Sequence, residues 1–128
     1  MGRLNGKHIV LGVTASVSAY KSCELARMLI KAGAKVRTVM SENATHLVRP
    51  LLFETLTGNP VHVESFPEER IDPMKHIGLA DWADIFVIAP ATANFIGKAA
   101  GGIADDLIST TYLTINAPKI IAPAMNTR

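Results

Sequence analysis

The sequence predicts an α/β fold, an open parallel sheet with helices on both faces, stacked as three layers. Three observations predict it. Strand-length apolar runs alternate with segments of helical periodicity. The runs are nearly continuous rather than alternating in polarity, as in strands buried on both faces. Each run gives way to a small or polar cluster that leads toward the next helix. The 128 residues fit a single domain spanning 1–128, long enough to bury a core but short for an α/β enzyme with a private active site.

Taken in order, Lys7 to Val13 is a strand rich in β-formers. Ser18 to Lys31 places Tyr20, Cys23, Leu25, Met28 and Leu29 at helical recurrence and closes on Gly33. Ala34 to Met40 is the second strand, and Ser41-Glu42-Asn43-Ala44 opens a helical turn with the Ser41 hydroxyl as N-cap. Pro50 to Leu56 is a short helix ending at Thr57-Gly58-Asn59-Pro60, followed by the brief strand Val61-His62-Val63. Glu64 to Met74 reads as an exposed loop and His76 to Ala83 as a short helix. Ile85 to Ala89 is a strand stopped by Pro90, Thr92 to Ala100 a helix capped by Gly101-Gly102, and Ala104 to Leu113 another helix. Lys119 to Ala122 is the last strand, stopped by Pro123. The alternation is that of a Rossmann-like sheet. Because the chain stops just past a strand end, a further C-terminal helix is expected beyond Arg128.

Composition narrows the function. Hydrophobic residues make up 48% and charged residues 19%, the profile of an ordered globular chain. The net charge of +2 is small and scattered, which argues against nucleic acid as a partner. A single cysteine, Cys23, can build neither a disulfide framework nor a thiolate metal site, and it points to a reducing cytoplasm. The apolar runs around Ile9, Phe86 and Ile120 are far shorter than the roughly 20 residues of a membrane helix, so no membrane partner is expected. The four histidines show no metal-ligand spacing.

Ligands of open parallel sheets collect beyond the carboxyl ends of the strands. Four such edges are small and polar: Thr14-Ala15-Ser16-Val17-Ser18, Ser41-Glu42-Asn43, Pro90-Ala91-Thr92-Ala93-Asn94 and Pro123-Ala124-Met125-Asn126. Amides at a helix start, helped by hydroxyls of Thr14, Ser16 or Ser18, suit a phosphate; the same serines also suit plain helix caps. The turn is neither a Walker loop nor the three-glycine dinucleotide turn. "VIAPATAN" and "IIAPAMN" each offer a proline-stiffened turn and an asparagine, which can grip a carboxylate, an amide or a heterocycle edge, or simply stabilise a turn. His76 opens "HIGLADWAD" and is either a surface or capping residue or a proton carrier. "GGIADDL" reads as a helix cap with Asp105 and Asp106 in the first turn, or, less simply, as a Mg²⁺ ligand pair.

With these segments in view, the chain closely resembles the homo-oligomeric flavin-containing cysteine decarboxylases, in particular the branch that decarboxylates phosphopantothenoylcysteine. The matching segments occur in order: "KHIVLGVTASVSAYKS", "GAKVRTVMSENA", "HIGLADWADIFVIAPATANFIGKAAGGIADDL" and "PAMN", covering Gly6 to Arg128. The resemblance implies FMN as cofactor, its phosphate held around Ala15, Ser16 and Val17 with Ser41 and Asn43. Thr92, Ala93, Asn94 and Phe95 would line the isoalloxazine and ribityl, and Met125 would approach the flavin. His76 would be the catalytic acid/base and Asn126 would bind the substrate carboxylate. It also implies a trimer or multiple of trimers sharing sites between neighbours, and a phosphopantothenate–cysteine ligase fused to or associated with the chain. The reaction implied is conversion of 4'-phospho-N-pantothenoylcysteine to 4'-phosphopantetheine: oxidation of the thiol to a thioaldehyde makes the carboxylate a leaving group, and the cofactor carries the redox work.

Two departures from the family stand out. Its members usually carry glycine at the position of Ala15, so the turn here is expected to avoid the left-handed region. Its C-terminal substrate clamp, with the cysteine serving the final reduction, lies beyond Arg128, and Cys23 comes too early to replace it. Alternatives are a peptidyl-cysteine decarboxylase, a flavin prenyltransferase of the same fold, and a non-enzymatic FMN-binding interaction subunit.

Overall fold

The computed structural model describes residues 2–63 and 75–126, with the side chains of 75–77 outside that description. Strands β1 (His8–Val13), β2 (Lys35–Met40), β3 (His62–Val63), β4 (Ile85–Ala91) and β5 (Lys119–Pro123) form one sheet in the order β3-β2-β1-β4-β5. Every pair is parallel. The helices are α1 (Tyr20–Lys31), α2 (Pro50–Thr57), α3 (Lys75–Trp82), α4 (Ala93–Gly101) and α5 (Leu107–Thr114). This is the expected Rossmann-like architecture. The expected loop from Glu64 to Met74 lies outside the described residues. Among those described, no helix is long and apolar enough to cross a membrane.

The sheet has a core on each face because successive side chains of a strand point to opposite sides. Ile9, Leu11 and Val13 of β1 join Ala26 of α1 and Phe53 of α2 in one core. Val10 joins Phe86 and Ile88 of β4, Leu79 of α3, Phe95 of α4 and Ile108 of α5 in the other. Fully burying each large side chain contributes about 1.5–3 kcal/mol. Gly12 also faces the second core: a Cβ there would sit 3.1 Å from Phe86 Cε1, so glycine lets the ring lie against the strand. Gly33, with φ +95°, ends α1 in the left-handed region, and a Cβ would fall 2.8 Å from Asn5 Cα.

The boundaries differ from expectation where side chains cap the backbone. The first helix begins as a 3-10 turn, Val17–Ala19, with Ser16 as its cap. Within α1, Tyr20 and Met28 are exposed, while the small residues Ser22 and Ala26 are the ones buried against the sheet. Ser22 can be buried because its Oγ donates to Ala89 O at 2.5 Å. Pro90 does not stop β4. Pairing with β1 runs to Ile88, the register against β5 is irregular between Ile88 and Ala91, and pairing resumes at Ala91 with Pro123. A proline cannot donate to a ladder, so regular pairing lapses there. Thr92 is the N-cap of α4 rather than its first residue. The last helix starts at Leu107, not Ala104, because Asp106 is its N-cap in a reciprocal capping box with Ser109; Asp105 therefore lies outside the helix.

Cys23 is half-buried, and burial pushes its thiol above the ordinary 9.0. Less of it is thiolate at any pH below that value than in a free thiol. Alkylation of the native chain at pH 8 is therefore expected to be slower than that of a small thiol and to keep rising with pH after the small thiol has levelled off; a rate equal to the free thiol would contradict this.

Candidate functional site

The chain leaves β1 toward β2 on one side and reaches β4 on the other, so the loops beyond β1 and β4 diverge and open a crevice. A cleft of about 470 Å³ occupies that edge. It is lined by Thr14 and Ala15 after β1, by Ser41, Glu42 and Asn43 after β2, and by Thr92, Asn94 and Phe95 at the start of α4. Lys98, Asp105, Asp106 and Ile108 complete the lining.

Thr14 joins the two loops that form the crevice. Only 4% exposed, it donates its hydroxyl to Pro90 O at 2.6 Å and accepts from the Thr92 amide at 3.0 Å. Its own amide donates to Pro90 O at 3.3 Å. The Thr14 hydroxyl is thus committed to structure rather than free for an anion. Ser16 and Ser18 also engage each other, Oγ to Oγ at 2.9 Å, while Ser16 Oγ accepts from the Ser18 amide at 3.3 Å. Ser41 Oγ accepts from the Ala44 amide at 3.2 Å, the expected cap. No described residue other than glycine has positive φ, so the turn at Ala15 does avoid the left-handed region.

On the β4 side, Thr92 Oγ1 accepts from the Phe95 amide at 3.2 Å and its carbonyl accepts from Ile96. The first amides of a helix have no intrahelical acceptor, which leaves those of Ala93 and Asn94 at the open end of α4. Phe95, 3% exposed, packs edge-on against Tyr112 at 5.5 Å and holds this end of the helix down.

Of the residues that the resemblance implies for the cofactor site, the cleft brings together six: Ala15, Ser41, Asn43, Thr92, Asn94 and Phe95. Ser16 and Val17 follow Ala15 but do not line it, and Val17 is 84% exposed. Ala93 is exposed in the first turn of α4. Met125 and Asn126 follow β5, where Ala124 N donates to Ala91 O at 3.1 Å; both are exposed and neither lines the cleft. His76 stands in the first turn of α3. That helix hands the chain to the amino end of β4, where Asp84 N donates to His8 O at 2.7 Å and His8 N donates to Asp84 Oδ2 at 2.9 Å. Eight residues of helix rise about 12 Å, so the backbone of the first turn lies toward the carboxyl edge.

Lys98 is the residue the sequence reading missed. Its ammonium lies 3.0 Å from Asp105 Oδ1 and 2.8 Å from Asp106 Oδ2, and both partners line the cleft. The Asp106 hydrogen bond, with smaller help from Asp105, raises the Lys98 pKa above its ordinary 10.5 against the opposing effect of partial burial. A lone cation among glycines and alanines in "GKAAGG" was the available signal.

The sequence profile of the Flavoprotein family matches residues 2–128. The chain belongs to the Flavoprotein family. Among curated relatives, this Flavoprotein-family chain is 46% identical over 123 residues to the coenzyme A biosynthesis bifunctional protein CoaBC of Bacillus subtilis, covering 96% of the chain and 30% of the relative. It is 48% identical over 124 residues to CoaBC of Haemophilus influenzae, covering 97% and 31%. The chain therefore spans about a third of the length of these relatives. Among solved flavoprotein structures it is similar to the FMN-dependent cysteine decarboxylase SpaF, with 37% identity, a TM-score of 0.87 and coverage of 97% of this chain and 71% of that one. It is also similar to a PPC decarboxylase variant complexed with pantothenoylaminoethenethiol, with 32% identity, a TM-score of 0.79 and coverage of 96% and 69%.

Proposed function

We propose that the chain holds FMN in the carboxyl-edge cleft and decarboxylates 4'-phospho-N-pantothenoylcysteine to 4'-phosphopantetheine. The 46% identity to a CoaBC protein across 96% of the chain carries this reading. The cleft fits the cofactor: about 470 Å³ falls within the usual 300–1,000 Å³ of small-molecule sites. Its donors, open amides at a helix start and the side chains of Ser41, Asn43 and Asn94, suit a phosphate and a polyol.

In this reading Ala15, Ser16 and Val17 hold the phosphate together with Ser41 and Asn43. Thr92, Ala93, Asn94 and Phe95 would line the ring and ribityl, and Met125 would approach the flavin. FMN, when bound, would supply the two-electron acceptor that makes the thiol-bearing carbon an electron sink for CO₂ loss and would then return the two electrons to the enethiol product, so that the net reaction is redox-neutral. Asn126 grips the substrate carboxylate through its amide, and His76 takes and returns the proton at the reacting centre. Residues 1–128 act as one flavoprotein domain, in a trimer or multiple of trimers that shares sites between neighbours. A cytoplasmic location and a phosphopantothenate–cysteine ligase region joined to or working beside it complete the proposal.

CO₂ release from 4'-phospho-N-pantothenoylcysteine in the presence of FMN tests the reading. The similarity to SpaF, an FMN-dependent cysteine decarboxylase, is equally compatible with a second one, in which the cysteine carboxylate is carried on a peptide. Release from a peptide ending in cysteine and none from the pantothenoyl compound would replace the first reading by the second.

A further inference from the structure

Among the described residues lining the cleft, Lys98 is the only cation, set against Glu42, Asp105 and Asp106. Its ammonium carries three donors and no acceptor. Asp105 and Asp106 take two of them, at 3.0 and 2.8 Å. Asp106 is itself fixed, because its Oδ1 accepts from the Ser109 amide at 2.7 Å and from Ser109 Oγ at 2.5 Å in the capping box of α5. The lysine side chain is 20% exposed, and Lys98 lies on the cleft wall. Among the described residues the cation is therefore oriented by two carboxylates on the same wall, with one N–H left over.

A tie between α4 and α5 needs only the Asp106 contact. The second carboxylate and the place in the cleft go beyond that need. We propose that Lys98 donates its third ammonium N–H to an acceptor on the bound flavin nucleotide, making it a cofactor-binding residue; this rests on the FMN reading above. Asp105 and Asp106 act as positioning residues that fix the ammonium before the cofactor arrives, which lowers the ordering cost of the contact. Without Lys98 the described lining of the cleft would present three carboxylates and no cation to a cofactor that carries a phosphate dianion.

The test is titration of cofactor-free chain with FMN and with riboflavin, comparing the parent with Lys98→Met and Lys98→Arg. Melting temperatures of the cofactor-free proteins report any structural cost separately. Lys98→Met is expected to weaken FMN binding by roughly tenfold or more, the worth of a charge-assisted hydrogen bond, and to shift the visible spectrum of bound flavin. Lys98→Arg, which keeps the charge and the carboxylate pairs, is expected to restore most of the affinity with a spectrum still different from the parent's. A loss confined to FMN places the acceptor on the phosphate; an equal loss with riboflavin places it on the ring or ribityl. If Lys98→Met binds FMN within twofold of the parent with the same spectrum, the lysine is only a tie between helices and the inference is overturned. If Lys98→Met does not fold, Lys98→Arg decides, and an unchanged affinity and spectrum overturns it. A parent chain that takes up neither flavin overturns the function reading itself.

Discussion

Replacing His76 with asparagine is expected to lower CO₂ release by at least about a hundredfold, and as much as 10⁴-fold, the usual range for a general acid or base, while FMN stays bound. Asparagine keeps a hydrogen-bonding side chain of similar reach but cannot exchange a proton near neutral pH. The proposed role rests on the course of the backbone: α3 ends beside the amino end of β4, tied there by the paired contacts of Asp84 and His8. Its first turn is therefore carried toward the edge where the cleft opens. Cofactor retention in the variant matters as much as lost turnover, because it separates proton transfer from assembly of the site. Single-turnover assays with FMN occupancy measured on the same sample would check both. Turnover equal to the parent's would remove His76 from the mechanism.

Thr14→Val is expected to damage fold and site together. Valine matches threonine in shape but lacks the hydroxyl that bridges Pro90 O and the Thr92 amide. Leaving a buried partner unsatisfied costs about 1–3 kcal/mol. At this chain length that corresponds to a melting temperature lower by roughly 4–12 °C. Because the same hydroxyl fixes the β1 loop to the start of α4, the two walls of the cleft lose their register and FMN affinity is expected to fall as well. A thermal melt and an FMN titration report the two effects independently. Unchanged melting would mean that the bridge adds nothing to stability, and unchanged affinity that the loops hold their spacing without it.

The sheet was legible because its strands are nearly continuous apolar runs and its helices alternate with them, a pattern set by burial on both faces. The helix starts were less so. Asp106 and Thr92 read as residues inside or beside a helix, but each folds back onto an amide three residues on, and that capping moves the boundary. Pro90 was misleading for a related reason: a proline ends regular pairing, yet its carbonyl serves as acceptor for Thr14, so the strand continues past it. In the cleft, residues that follow β1, β2 and β4 were visible as small polar clusters. Lys98 was not, since its role depends on Asp105 and Asp106 folding back across Gly101-Gly102, a tertiary contact that no local period encodes. Thr14 was visible as a hydroxyl but not as a bridge to a residue 78 positions away.

The most direct measurement is a crystal structure of the chain grown with FMN. The account predicts the phosphate against Ala15 to Val17 and the Ser41 to Asn43 turn, with the flavin along Thr92 to Phe95 and the Thr14 bridge intact. FMN bound elsewhere on the chain, or a carboxyl-edge cleft that stays empty at saturating FMN, would contradict it.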